Sequence, residues 1–203
     1  MYLVKRLLRE FVQPLKFFGR ERTMHKDLQS IVITEDEIKE KVNAAAAWLD
    51  ERYAKAKNPI AISVLKGSVM FFCDLVRAMK TPLQIDFMTV SSYGKGSVSS
   101  GVPKIVMDLA ANVQDRDVLL VEDIVDSGHT LVRMRDLLLG RGAASFTAVT
   151  LFDKPSRRQV DIKADYSCFE IGDEFIVGYG LDYAQQYRTL PYVGILKREI
   201  YEK

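Results

Sequence analysis

Short apolar runs recur along the chain, and after most of them apolar residues fall three and four positions apart. An apolar run followed by a helical stripe predicts strand–helix units, with the strands buried on both faces of a parallel sheet. The folded part is read from Ile31. Thr34-Glu35-Asp36-Glu37 forms a capping box and predicts a helix through Ile38, Val42, Ala45, Ala46 and Leu49, broken at Asn58-Pro59. Residues 60–65 read as a strand, followed by the turn Lys66-Gly67-Ser68 and a helix through Phe71, Phe72, Leu75 and Val76. Strands are predicted over 85–91, 104–108, 118–121 and 146–152, with a helix over 131–139 that ends near Gly140-Arg141-Gly142. The last third changes character, and 166–171, 175–178 and 193–196 read as short strands with little helix between them. The expected class is α/β, an open parallel sheet closed by a β-rich tail. Such a sheet binds ligands at the carboxyl ends of its strands, where the polar turns of this chain lie.

Two stretches fall outside that pattern. Residues 92–101, Ser92-Tyr93-Gly94-Lys95-Gly96-Ser97-Val98-Ser99-Ser100-Gly101, are too soft to pack. They join two strands of one domain, where a plain linker has no task, so a lid is expected. Residues 1–23 set Leu7, Leu8, Phe11 and Leu15 among Lys5, Arg6, Arg9 and Lys16, a basic and roughly amphipathic pattern up to Pro14. They read as an extension ahead of a functional domain that starts at Met24. The alternatives are a helix packed on a neighbouring subunit or one lying on a membrane surface.

Composition narrows the classes. A chain of 203 residues with 48% hydrophobic and 28% charged residues suits one globular domain. A net charge of +2 argues against a dedicated nucleic-acid binder. Cys73 and Cys168 lack the spacing of a zinc site and read as free thiols of a reducing compartment. No apolar run approaches the ~20 residues needed to span a bilayer.

The densest chemistry lies between Asp117 and Thr130, D-V-L-L-V-E-D-I-V-D-S-G-H-T. A β-branched-rich run ends in Glu122 and Asp123, and Asp126-Ser127-Gly128-His129-Thr130 then leads into the helix. This turn sets Gly128, two hydroxyls and unpaired N–H groups at a helix N-terminus, where the dipole favours an anion. The two acids suit sugar hydroxyls or a divalent cation, and carboxylates this close repel unless such a group lies between them. A ligand with a phosphate at one end and a diol in the middle fits both halves. The plainer alternative is a capped helix with Asp126 or Ser127 as N-cap.

The stretch resembles the phosphoribosyl pyrophosphate (PRPP) signature of purine phosphoribosyltransferases. Leu65-Lys66-Gly67, Ser92-Tyr93 and Phe175-Ile176-Val177-Gly178-Tyr179-Gly180-Leu181-Asp182-Tyr183 with Arg188 extend the likeness from about Asp27 to the C-terminus. Over that length the chain resembles the hypoxanthine-guanine phosphoribosyltransferases. The resemblance implies a type I phosphoribosyltransferase fold over 24–203, with a central parallel sheet flanked by helices and a small hood built from the chain ends. It implies purine salvage in the cytoplasm, with ribose 5-phosphate passing from PRPP to N9 of hypoxanthine or guanine to give IMP or GMP and pyrophosphate. A Mg²⁺ requirement and a homodimer or homotetramer are implied too, with neither nucleic acid nor membrane as partner.

By the same resemblance, Asp126, Ser127, Gly128, His129 and Thr130 wrap the 5-phosphate, mostly through backbone N–H groups. Glu122 and Asp123 take the ribose hydroxyls and a Mg²⁺. Neighbouring strand residues face opposite ways, so both reach one diol only if the strand curls at its end. Asp126 lies near N7 of the purine as general base, or simply caps the helix. Lys66, Gly67 and Arg188 bind pyrophosphate, with a non-proline cis peptide implied at Leu65-Lys66; a solvated lysine and a plain ion pair are the alternatives. Ser92 and Tyr93 open the flexible loop, about 92–104, that closes over the site. Lys154 donates to the oxygen at C6, Phe175 stacks on the base or packs in the core, and the Ile176 backbone pairs with the base edge. Asp182 lies beside the base and holds a second Mg²⁺, or only caps or pairs. His129 departs from the family's usual lysine or apolar residue and is assigned no chemistry of its own. The rival reading, an RNA-binding attenuator on the same fold, calls for a basic RNA face and a uracil-type pocket, whereas Lys154 and residues 175–182 look purine-directed.

Overall fold

The computed structural model describes residues 24–91 and 104–202. The extension 1–23 and the Gly/Ser-rich run with Ser92 and Tyr93 lie outside the described residues. In chain order the elements are β1 Leu28–Ile33, α1 Glu35–Arg52, β2 Ile60–Leu65, α2 Val69–Ala78, β3 Gln84–Ser91, β4 Lys104–Met107 and β5 Asp117–Val125. There follow α3 His129–Gly140, β6 Ser145–Asp153, β7 Tyr166–Glu170, β8 Ile176–Val177, β9 Val193–Leu196 and the short α4 Arg198–Tyr201.

The expected α/β architecture is present. A six-stranded sheet runs β4-β3-β2-β5-β6-β7. Its β3-β2-β5-β6-β7 pairings are all parallel. The edge strand β4 departs from the expected wholly parallel sheet, because it returns antiparallel along β3. A parallel return needs a crossover, usually helical, and residues 92–103 carry no apolar helical stripe to build one.

Helices cover both faces, which is why the central strands read as continuous apolar runs. Leu119 and Val121 of β5 face a core with α1 and α2 residues such as Leu49, Phe71 and Phe72. Val118 and Leu120 face the opposite core with Met134 and Leu138 of α3. Thr34 caps α1 in a complete capping box with Glu37. The helix ends at Arg52, with Tyr53 as its C-cap, well short of the Asn58-Pro59 break. The strand β5 is longer than its apolar run and carries Glu122 and Asp123 within it, since β6 stays paired as far as Val125 opposite Asp153.

The chain ends meet in a second, three-stranded antiparallel sheet, β1-β9-β8, around Leu28, Val177, Tyr192 and Leu196. This is the expected hood. The Tyr187 hydroxyl donates to Asp27 at 2.8 Å, and the Lys197 N–H donates to the Asp27 carbonyl at 3.0 Å. Among the described residues no helix is long and apolar enough to cross a membrane.

Candidate active site

The turn after β5 is built from below. The Lys154 N–H donates to the Val125 carbonyl and the Gln159 N–H to that of Ser127, both at 3.0 Å. Between them the Arg158 guanidinium donates to the Asp126 carbonyl at 3.1 Å and the Val125 carbonyl at 3.3 Å. It also donates to the Ile162 carbonyl and pairs with Asp153. The C=O and the following N–H of a trans peptide point opposite ways. With the carbonyls of residues 125–127 drawn inward, the amides of Asp126, Ser127 and Gly128 turn outward, toward the start of α3.

Gly128 is the N-cap of α3, at φ 89°, with no side-chain cap. This corrects the expectation that Asp126 or Ser127 caps the helix. A Cβ on Gly128 would come within 2.9 Å of Arg158, Val160 and Ile162, so glycine is required both for its left-handed backbone and for that close approach. His129 meets Gln159 through its Nε2 at 3.2 Å, a tie within this scaffold. Arg158 and Gln159 were not legible in the sequence. Polar residues just after Pro155 look like a solvated loop, and only their contacts with a turn thirty residues away give them a role.

Next to this anion cradle stands the acid pair. Glu122 is buried, and its Oε1 has no hydrogen-bond partner. Burial, and then the charge of Asp123, push its carboxyl up to about 8. Asp123 is half-buried and is pushed up to about 6 by desolvation, against hydrogen bonds from the Ile124 and Asp123 amides and the charge of Arg188. The strand loses its regular alternation somewhere between Val121 and Ile124. Leu119, Val121 and Ile124 face one core, and Val118, Leu120 and Val125 the other. Asp126 lies exposed where the strand gives way to the turn.

Three chain segments converge on Asp123. The Leu65-Lys66 peptide is cis, and a Cβ on Gly67 would overlap the Asp123 carboxylate. Gly180, at φ 103°, lies so close to the Gly67 carbonyl that a Cβ would collide with that backbone. Arg188 donates to the Gly180 carbonyl at 2.7 Å and pairs with Asp182 at 2.7 Å. The Gln185 N–H holds the other Asp182 oxygen at 2.9 Å. The Gln185 carboxamide oxygen accepts from Arg188 at 3.3 Å and from Lys66 at 3.5 Å, and so links both cations to one residue. Gln185 was also missed, for an exposed glutamine in a polar loop carries no signal. Lys66, Gly67, Asp123, Asp182 and Arg188 thus form one group, with Asp182 held on the arginine rather than turned free.

On the hood side, the buried Lys154 ammonium donates to the Glu174 carbonyl at 2.9 Å. That places it beside Phe175, which is 37% exposed. Ile176 follows in β8, half-buried. Phe175 stacks on Tyr201 with ring centroids 4.8 Å apart.

Among the described residues no three His, Cys, Asp or Glu side chains are grouped into an all-protein metal site. The acids nevertheless suit a shared cation, since Mg²⁺ is usually held by one or two carboxylates and completed by water and substrate phosphate. The unpartnered Glu122 oxygen and the upward shift of both acids mark a site short of positive charge.

Comparison with known proteins agrees with this geometry. Residues 29–184 match the model of the phosphoribosyl transferase domain. The chain is 48% identical over 180 residues to the hypoxanthine-guanine phosphoribosyltransferase of Streptococcus thermophilus, covering 89% of this chain and 99% of that protein. It is 51% identical over 185 residues to the bifunctional protein TilS/HprT of Listeria monocytogenes, covering 91% of this chain but only 28% of that longer protein. A crystal structure of a hypoxanthine phosphoribosyltransferase from Staphylococcus aureus superposes with a TM-score of 0.85 at 44% identity, over 91% of this chain and 100% of that one.

Proposed function

The chain belongs to the phosphoribosyltransferase family, in its hypoxanthine-guanine branch, and on that premise we propose that it transfers ribose 5-phosphate from PRPP to N9 of hypoxanthine or guanine. The products are IMP or GMP and pyrophosphate, and the role is purine salvage. One observation carries the reading. An uncapped helix N-terminus with outward amides, a buried Glu122 beside a half-buried Asp123, and two cations joined through Gln185 meet at the carboxyl ends of β2 and β5.

Breaking the bond at C1 builds positive charge on the ribose, as in glycoside cleavage. In this reading the amides of Asp126, Ser127, Gly128, His129 and Thr130, with the Ser127 and Thr130 hydroxyls, hold the 5-phosphate. Glu122 and Asp123 accept from the ribose hydroxyls, and their charge favours the developing oxocarbenium centre. Lys66, Gly67 and Arg188 bind the departing pyrophosphate, with Ser92 and Tyr93 assigned to the same end by resemblance. Glu122, Asp123 and Asp182 would hold Mg²⁺, which would supply positive charge beside the pyrophosphate group. For Asp182 that requires release of its pair with Arg188, a bond that pyrophosphate would compete for.

Base choice follows from hydrogen-bond bookkeeping. Phe175 stacks on the purine, the Ile176 backbone meets its edge, and Asp182 closes that side. Lys154 donates to the oxygen at C6. Adenine presents an amino group there, so a donor would face the Lys154 ammonium in place of an acceptor, and it is strongly disfavoured. Asp126 accepts the proton displaced from the base as N9 is alkylated. A homodimer or homotetramer in the cytoplasm, without nucleic-acid or membrane partners, completes the proposal.

The test is Mg²⁺-dependent nucleotide formation from PRPP with hypoxanthine, guanine, xanthine, adenine and uracil in parallel. Turnover of hypoxanthine or guanine with adenine and uracil silent is expected. Activity on uracil, or on no base, overturns the assignment and favours the attenuator.

A further inference from the structure

The last turn of the chain lies over the base platform. The Leu196 N–H donates to the Phe175 carbonyl at 2.9 Å, and the Ile200 and Glu202 N–H groups close the turn on Lys197 and Arg198. This places the Tyr201 ring on Phe175 at 4.8 Å and 22°, a stacked pair. Tyr183 meets the Phe175 ring edge-on at 5.7 Å and 86°, and meets Tyr201 at 6.5 Å and 64°. A partly exposed phenylalanine just before a two-residue strand would otherwise be free to change rotamer. Here two tyrosines set its plane. The Tyr201 stack lies on one face of the ring, and the residue is still 37% exposed, so Phe175 keeps surface for a second planar group. The Lys154 ammonium is held on the carbonyl of Glu174, the residue before Phe175.

We propose that Tyr201 is a positioning residue for the base: it forms the fixed outer layer of an aromatic stack whose middle layer is Phe175 and whose inner layer is the 6-oxopurine. This rests on the assignment of Phe175 and Lys154 to the purine. The contact is made by the ring, so the hydroxyl is dispensable. Loss of the ring should leave Phe175 free to turn, and the base should bind less tightly by roughly three- to tenfold, the worth of one aromatic pair. PRPP, bound through other segments, should be unaffected.

The experiment measures kcat and both KM values for the full chain and for Y201F, Y201L, F175L and F175L/Y201L, with hypoxanthine and PRPP varied in turn. The leucine keeps apolar bulk under Phe175, so the fold is preserved while the stacked plane is lost. Y201L should raise KM for hypoxanthine about three- to tenfold with KM for PRPP within about 1.5-fold of the parent. Y201F should restore the parent value, and Y201L should add nothing further in an F175L background. An active parent whose KM for hypoxanthine is unmoved by Y201L overturns the stack and leaves the proposed function standing. The stack is equally overturned if both KM values rise together or if Y201F fails to restore the parent value. A parent silent on every 6-oxopurine overturns both.

Discussion

Glu122→Gln separates the electrostatics of the acid pair from its packing. Glu122 is buried with one oxygen unpartnered, and burial together with Asp123 raises its carboxyl from 4.5 to about 8. Below pH 4.5 the folded and unfolded chains both hold this proton, and its contribution does not change with pH. Between 4.5 and about 8 the unfolded chain has released the proton while the folded chain retains it, so stability falls as pH rises. The slope for one such proton is about 1.4 kcal/mol per pH unit. The isosteric amide never ionises and removes that slope. Its own fixed cost, an unsatisfied buried amide of about 1–3 kcal/mol, is the same at every pH. Asp123, pushed up to about 6, adds a slope of the same sign in both proteins and cancels in the comparison. From pH 5.5 to pH 7.5 the variant should therefore gain roughly 3 kcal/mol on the parent, whatever the offset at pH 5.5. Urea unfolding of the ligand-free proteins at pH 5.5, 6.5 and 7.5 measures the difference directly. A difference constant to within about 0.5 kcal/mol across that range would show that Glu122 ionises normally in the fold, and the account of the acid pair as short of positive charge would be wrong.

The other predictions bear on the turn and the hood. Gly180→Ala meets a left-handed backbone and the Gly67 carbonyl at once, and should cost about 2–5 kcal/mol and lower Tm by at least roughly 5 °C. KM for PRPP should rise with it, because Arg188 is anchored on the Gly180 carbonyl; a Tm within about 2 °C of the parent and an unchanged KM would contradict that linkage. Asp126→Asn should lower kcat by about a hundredfold or more if Asp126 is the general base, and turnover within about threefold of the parent would remove it from that role.

Local chemistry was legible along the chain because it acts between near neighbours. The Thr34–Glu37 capping box, the apolar run of β2 and the acids that end β5 each announced themselves through spacing of a few residues. Two of the three hood strands were found as short apolar runs, and Val193–Leu196 stands where it was expected, whereas β1 over Leu28–Ile33 was not predicted. Family likeness added roles for Lys66, Lys154 and Arg188 that spacing alone leaves open.

What stayed hidden depends on which faces meet. Asp126 and Ser127 have the right chemistry for an N-cap, yet the cap is Gly128 without a side-chain hydrogen bond, and the carbonyls of Val125 and Asp126 before it are held by Arg158. Arg158, Gln185 and Tyr201 are ordinary loop and terminal residues by composition. Their partners lie far away in sequence, from the end of β5 to the Lys66 turn and Phe175. The sense of β4 was likewise set by the lack of a crossover helix rather than by its own residues. Periodicity along the chain determined the elements and their buried faces, since it reflects short-range geometry repeated every two or 3.6 residues. The site itself was decided only by tertiary structure, since the hydrogen bonds and stacking that orient it act between segments brought together by burial of those faces.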